Sequence, residues 1–309
     1  MSVVIGTLNR SDMLEPSLRS LLAQTIDPGL IEIVVVDNGS TDRTLNLVSE
    51  LMAVAPHMRL VHEPKRGLSN ARNRGIAEAR APLVAFFDDD GIAEPDWAER
   101  ILKVLEDEPE TGAVGGRIHV RWPAGRPSWM PASLAGYYGH FDCGETRREI
   151  ALPTYPFGPN MVIRRDRLQQ IGGFRSELGP TGKNLMACGE TDLFQRLHQV
   201  PLKVIYEPAA VVYHVVPPER ATKKWSLVRA FRHGICSATM QYLNGDKRRR
   251  TWARRACLAG GRSLTSAAST TLGYLGRTSE STVMSRAGYV MYWTGFARAS
   301  LNLLRRDRS

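Results

Sequence analysis

Leu83-Val84-Ala85-Phe86-Phe87-Asp88-Asp89-Asp90 runs five apolar residues straight into three carboxylates. A run apolar at every position is a strand covered on both faces, the pattern of a parallel sheet with helices on either side. Adjacent carboxylates repel one another unless a cation or hydrogen-bond donors offset the charge, and a hard divalent ion such as Mg²⁺ or Mn²⁺ does so. Aspartates spaced Asp-x-Asp can hold such an ion while it bridges to a diphosphate. The triplet lies too early to cap the helix that Pro95 begins.

Upstream of this strand the same unit repeats. Val3 to Ile5 reads as a strand, Leu14, Leu18, Leu21 and Leu22 as a helix, and Ile31 to Val36 as a second strand. Leu45, Val48 and Leu51 mark a helix, Arg59 to His62 a strand, and Ser69 to Ala79 a helix before Leu83. Alternating strands and helices predict parallel pairing in an open α/β sheet, whose ligands sit at the carboxyl ends of the strands. Four such ends are polar: Thr7, Asn9 and Arg10; Asp37-Asn38-Gly39-Ser40; Arg66-Gly67; and Asp88 to Asp90.

Asp37 can accept hydrogen bonds from a base or ribose, although Asp-Asn-Gly is equally a turn signal. Gly67-Leu68-Ser69-Asn70-Ala71-Arg72 reads as a turn entering a helix whose N-terminus, with Arg72 and Lys65, favours an anion or a plain solvated surface. Walker and GxGxxG patterns are both absent. Further on, Glu190 and Asp192 open a helix, where a carboxylate could deprotonate an acceptor hydroxyl or merely favour the helix N-terminus. His214 is a candidate third ligand for a metal or phosphate, or a structural histidine.

From Arg121 to Pro156 periodicity fails. Five prolines alternate with Trp122, Trp129, Tyr137, Tyr138 and Phe141, the pattern of a long aromatic loop that is either a binding loop or lid or a plain excursion over the core. Asn160 to Ile163, Lys203 to Tyr206 and Ala210 to Tyr213 read as strands, and the chain past Pro218 as helical. Charge is distributed unequally. Asp246 to Ser309 holds 13 Lys/Arg and 3 Asp/Glu, which equals the formal net charge of +10, so the first 245 residues are neutral. Such a tail attracts phosphate groups, whether of nucleic acid or of an anionic membrane face, and with no recognisable nucleic-acid-binding module no specific nucleic acid is expected. Val283 to Leu304, interrupted by Arg286 and Arg298, suits an interfacial helix better than a spanning one. With no run of 18 apolar residues and no leader pattern, a cytoplasmic protein is expected, peripheral at most on the inner membrane face. Four cysteines without a CxxC pair argue against a zinc site or disulfide framework.

In this order, these segments resemble glycosyltransferase family 2 over about residues 3 to 240. Val3 to Arg10 is similar to the opening strand and nucleotide loop, with Gly6 where proline is usual. Asp37 to Asp42 resembles the uracil-contacting segment, Gly67 to Asn73 the third signature, and Phe86 to Asp90 the Asp-x-Asp motif. Asn160 to Arg165 with Gly172-Gly173-Phe174 resembles the acceptor-site strand and turn. Gly189 to Asp192 corresponds to the Glu-Asp motif of the catalytic base, with glycine in its first position, which leaves Glu190, placed first, or Asp192 as the base.

The resemblance implies a GT-A fold, a Rossmann-like mixed sheet flanked by helices. It implies residues 1–240 as the transferase domain, with 1–115 binding the nucleotide-sugar and 116–240 the acceptor and base, and 241–309 as a basic helical extension. The implied reaction moves a sugar from a nucleotide-sugar, UDP-linked, to a glycan or lipid-linked acceptor hydroxyl with inversion. Its cofactor would be Mg²⁺ or Mn²⁺ on Asp90, Asp88 and His214. Donor contacts would fall to Thr7, Asn9, Arg10, Asp37, Asn38, Gly67, Arg72, Asp88 and Asp89. A nucleotidyltransferase would need a Gly-rich, Arg-containing loop after the first strand, which Thr7 to Ser11 does not supply, and a binding scaffold would show a broken acidic triad.

Overall fold

The computed structural model describes residues 1–182, 186, 188–245, 248–275 and 278–306, so Lys247 of the basic run falls outside it. Two compact units form. The first gathers residues 1–121, 139–182 and 189–215; the second gathers 122–138, 186 and 188, and the chain from Val216 onward.

The first unit is built on a sheet of nine strands among the described residues. Its leading half runs β1 (Ser2–Thr7), α1 (Ser11–Leu22), β2 (Glu32–Asp37), α2 (Thr44–Met52), β3 (Met58–His62), α3 (Leu68–Glu78) and β4 (Leu83–Asp88). There follow β5 (Gly91–Ala93), α4 (Trp97–Asp107), β6 (Thr111–Arg121), β7 (Arg148–Glu149), β8 (Met161–Arg164), α5 (Arg165–Gln170), α6 (Gly189–Leu197) and β9 (Lys203–Val215). The strand order is β3-β2-β1-β4-β8-β6-β9-β5, with β7 on β9. β1 to β4 pair in parallel, whereas β8 runs antiparallel to both β4 and β6.

Side-chain alternation explains the uniformly apolar strands. Val3, Ile5, Ile33, Val35, Ala85 and Phe87 face a core with Leu14, Leu18, Val48, Trp97 and Ile101 from α1, α2 and α4. Val4, Val34, Val36, Val84 and Phe86 face the other layer, with Ala71, Leu168, Leu193, Phe194 and Leu197 from α3, α5 and α6. Each such strand is sandwiched, and each large side chain it buries contributes about 1.5–3 kcal/mol.

Two departures from the sequence reading matter. Thr111–Arg121 is a strand of 11 residues in the middle of the sheet, unassigned from sequence because glycine and charge break its pattern. The stretch read as one aromatic loop divides between the units. Tyr138 is buried in the second, its ring 4.8 Å from Trp225 and 4.9 Å from Trp122, and its hydroxyl 2.6 Å from Ser226 Oγ. Phe141 lies in the first, bridged to Ile118 and 5.1 Å from the Phe157 ring. For Tyr138 and Phe141, core packing is therefore the role observed.

The second unit contains α7 (Lys223–Leu243), α8 (Arg249–Leu275) and α9 (Glu280–Arg306), with a short helical turn at Ala132–Tyr138. Val283, Met284, Phe296, Ala299 and Leu303 of α9 are buried, and Phe296, Ala299 and Leu303 share a core with Ala238 and with Trp252 and Ala259 of α8. Much of the apolar face expected to be interfacial thus packs against neighbouring helices. No helix among the described residues is long and apolar enough to cross a membrane. All four cysteines are free thiols.

Candidate active site

Every residue singled out for donor, metal or base lies in the first unit. Strand register brings most of them together: Gly6 is paired with Asp88 and Thr7 with Asp37, so the ends of β1, β2 and β4 are level. On the far side β5 pairs Gly91 with His214, and the Val215 N–H donates to the Asp90 carbonyl at 2.9 Å. That ladder carries His214, more than a hundred residues away in sequence, to the acidic triplet.

Two arginines divide the triplet between them. Arg10 forks across Asp89 Oδ1 and Asp90 Oδ2, the latter at 2.7 Å, while Thr7 Oγ1 donates to Asp89 Oδ2 at 2.9 Å. Arg72, nearly buried on α3, donates to Asp88 Oδ1 at 3.0 Å and to Glu190 Oε1 at 2.8 Å. His214 Nε2 stands 3.0 Å from Asp90 Oδ1. Burial, and after it the neighbouring Asp90 and Asp88, push the Asp89 carboxyl up to about 7 against the pull of Arg10 and Thr7. Burial also raises Asp88, opposed by Arg72 and reinforced by Asp90. Burial opposes the charge on Arg72, yet Glu190 and Asp88 outweigh it and hold the guanidinium above its ordinary value.

Asp88, Asp90 and His214 offer ligand atoms that all lie within 4.8 Å of one another. Two carboxylate oxygens and an imidazole nitrogen suit Mn²⁺ or Mg²⁺ chemically, with open positions left for phosphate oxygens, so the residues present fit such an ion. Asp89 faces Arg10 and Thr7 instead.

The remaining donor-side residues shape the loops. Asp37, almost fully buried, accepts from the N–H groups of Gly39 at 3.1 Å and Ser40 at 2.9 Å, and His62 Nδ1 lies 3.1 Å from its Oδ2. Burial pushes its carboxyl up, but the bonds from Ser40, Gly39 and His62 win and keep it below the ordinary value. The turn chemistry foreseen for Asp37 is thus realised, and His62 is a partner the sequence did not flag. Asn9, at φ 53°, accepts from Thr41 N–H at 2.6 Å and ties the first loop to the second. Asn38 grips the loop before α3, donating to Glu63 and Lys65 carbonyls and accepting from Gly67 N–H at 2.7 Å. Gly67 has φ 129°, a conformation other residues rarely adopt.

The two acids of α6 have opposite surroundings. Asp192 is fully buried and spans two arginines: Arg175 Nη1 donates to Oδ1 at 2.9 Å and Arg196 Nε to Oδ2 at 2.8 Å. Arg196 also donates to the carbonyls of Ile171 and Gly173, so Asp192 braces the turn that follows α5. Glu190, 22% exposed, points instead to Arg72 and the triplet. Gly158 makes room for that contact, since a Cβ there would meet Arg72 Nη2 at 2.1 Å and Glu190 Oε1 at 2.7 Å. Nothing in the sequence marked Gly158. Arg196 was legible in principle, standing at i+4 from Asp192.

Acidic residues and arginines gathered at the carboxyl ends of the strands of an open α/β sheet, with Glu190 of α6 beside them, suit a phosphorylated ligand held through a cation. The chain belongs to glycosyltransferase family 2: residues 2–172 match the family model described as glycosyl transferase family 2. A curated relative, the glucosyl-dolichyl phosphate glucuronosyltransferase of Haloferax volcanii, is 29% identical over 254 residues, covering 79% of this chain and 78% of its own. Among solved structures, the mannosyltransferase PcManGT of Pyrobaculum calidifontis, in complex with GDP-Man and Mn²⁺, has a TM-score of 0.64 at 19% identity, covering 95% of this chain and 85% of that one. TarS of S. aureus, residues 1–349 with UDP-GlcNAc, has a TM-score of 0.58 at 18% identity, covering 79% and 67%. The fold is GT-A, as expected from the sequence.

Proposed function

We propose that this glycosyltransferase moves a sugar from a UDP-linked donor to an acceptor hydroxyl in a single displacement that inverts the anomeric carbon. Glu190 is the base and Asp88, Asp90 and His214 hold a divalent cation. The observation that carries this reading is the Arg72 fork, which joins Asp88 to Glu190 and so sets a carboxylate beside the proposed cation site.

Asp192 is the poorer base because both its oxygens are bound by arginine and none of it is exposed. Glu190 retains access to an incoming hydroxyl and takes its proton as the oxygen attacks. When bound, a divalent cation supplies charge stabilisation to the departing diphosphate. Arg10 adds positive charge there. Asp37, held as a carboxylate, is the nucleobase contact, in keeping with its place in the segment resembling the uracil-contacting one. TarS is in complex with a UDP-sugar and PcManGT with a GDP-sugar, so uracil specificity rests on the sequence resemblance.

A lipid-linked acceptor accords with the dolichyl phosphate in the name of the Haloferax volcanii relative. The helical unit supports peripheral membrane contact: α8 contains five arginines and no acidic residue, and Leu258 and Leu264 stand 54% and 74% exposed beside exposed Arg254 and Arg262. A basic surface with apolar side chains suits an anionic interface, and sedimentation with anionic but not neutral vesicles is the expected result.

The decisive experiment measures nucleoside diphosphate release from UDP- and GDP-sugars with Mn²⁺ or chelator, and the anomeric configuration of the product. Expected are metal-dependent turnover, an inverted product, and loss of turnover in Glu190→Gln. Retained configuration, or turnover unaffected by Glu190→Gln, overturns the assignment.

A further inference from the structure

Arg10 has a second role, which rests on the cation site just described. Its backbone is fixed, since its carbonyl accepts from the N–H groups of Met13 and Leu14 and so starts α1. Its guanidinium bonds both Asp89 and Asp90, while Asp90 is buried and its other oxygen faces His214. The carboxylate placed to ligate a cation is therefore occupied on one oxygen by a positive group and lies against imidazole on the other. The Arg10 side chain is 25% exposed against 2% for Asp90, so it is the group with room to leave.

We propose that Arg10 is the resident counter-ion of Asp89 and Asp90, and that a divalent cation and Arg10 compete for Asp90. Asp89 and Asp90, both buried, cannot stay charged without positive charge, and Arg10 supplies it when no cation is bound, while Arg72 answers Asp88. A cation at Asp88, Asp90 and His214 supplies more charge at shorter range and repels the guanidinium. Arg10 then keeps only Asp89 and turns its freed Nη2 toward the donor diphosphate, for which a planar guanidinium is well suited. The consequence is a sign reversal: Arg10 opposes cation binding in the free enzyme and favours diphosphate binding once the cation is present. A residue that only stabilised the fold would not show it.

The test is Mn²⁺ titration of the full chain without nucleotide, read from the electron paramagnetic resonance signal of free Mn²⁺. It is followed by UDP binding at saturating Mn²⁺. Arg10→Gln is expected to bind Mn²⁺ roughly tenfold more tightly than the wild type, the scale of one charge-assisted contact, and UDP roughly tenfold more weakly. Arg10→Lys, which keeps the charge and loses the fork, falls between them and guards against misfolding of the glutamine variant. The melting temperature of Arg10→Gln rises more on adding Mn²⁺ than that of the wild type. Unchanged or weaker Mn²⁺ binding in Arg10→Gln, with wild-type binding abolished by Asp90→Asn, overturns the competition and leaves the cation site standing. Mn²⁺ binding insensitive to Asp90→Asn, or none in any variant, overturns the site and this proposal together.

Discussion

Gly158→Ala adds one methyl group and should disable the site while leaving the fold intact. Its Cβ would lie 2.1 Å from Arg72 Nη2 and 2.7 Å from Glu190 Oε1, where ordinary contact begins at 3.4 Å. The guanidinium must withdraw by more than 1 Å, which breaks bonds of 3.0 Å to Asp88 and 2.8 Å to Glu190. Arg72 is 5% exposed, so its charge has little solvent to turn to. A misplacement of about 1 Å at a reacting group costs on the order of 10²-fold in rate. Overpacking costs about 1–3 kcal/mol of stability, which a domain with these cores can absorb. Steady-state rates from nucleoside diphosphate release, with urea unfolding alongside, should show kcat down about a hundredfold in a folded protein. A double-mutant cycle with Arg72→Ala locates the cause: once the guanidinium is gone only the contact with Glu190 Oε1 remains, and the methyl should cost much less than it does in the wild type. A kcat within threefold of wild type, or penalties that simply add, would refute the reasoning.

Asp192→Asn should act on stability, because it leaves Arg175 and Arg196 without their shared carboxylate: a loss of about 3 kcal/mol in urea unfolding is expected. Its turnover per folded molecule should stay far above that of Glu190→Gln. Gly234→Ala should loosen the helical unit, since the new Cβ would stand 1.9 Å from the Tyr292 carbonyl oxygen where α7 crosses α9; circular dichroism melting should show a lower transition. His233 makes the same unit acid-sensitive: burial, then the charge of Arg229, depress the imidazole from 6.5 to about 4. The unfolded chain therefore binds the proton first, and stability falls as pH drops from about 6.5 to 4, by up to about 3 kcal/mol. His233→Phe should flatten that part of the urea-midpoint profile.

Legibility in the sequence followed physical rules. β1, β2 and β4 were readable because strands covered on both faces must be apolar at every position. β6 was not, because Thr111 to Arg121 contains three glycines and alternates charge near its end, so its central place depends on pairing with β8 and β9. The acidic triplet announced itself, since no folded chain leaves such charge unpaired without reason. What answers that charge was only half visible: Arg10 and Arg72 stood in the motifs, but which carboxylate each would take is a matter of register. The division of labour between Glu190 and Asp192 was hidden for the same reason. Two acids two positions apart on a helix differ only in what lies opposite them, and Arg175, Arg72 and Gly158 come from three other segments.

That both cations are arginine follows from the geometry they serve. Each contacts two carboxylates at once, Arg10 on Asp89 and Asp90, Arg72 on Asp88 and Glu190. A planar fork spans two acceptors in fixed directions, whereas an ammonium acts as a single point charge. The pairing also links the halves of the sheet. Asp88 ends a strand of the parallel half, Glu190 begins the helix that precedes β9, and one guanidinium settles the distance between them. Under the proposed mechanism those are the leaving-group side and the attacking side of one displacement, whose in-line geometry must hold to a fraction of an ångström. Buried ion pairs contribute little net stability because desolvation offsets their attraction. The network is therefore better explained as the device that fixes the proposed base relative to the proposed cation site than as a means of holding the fold together.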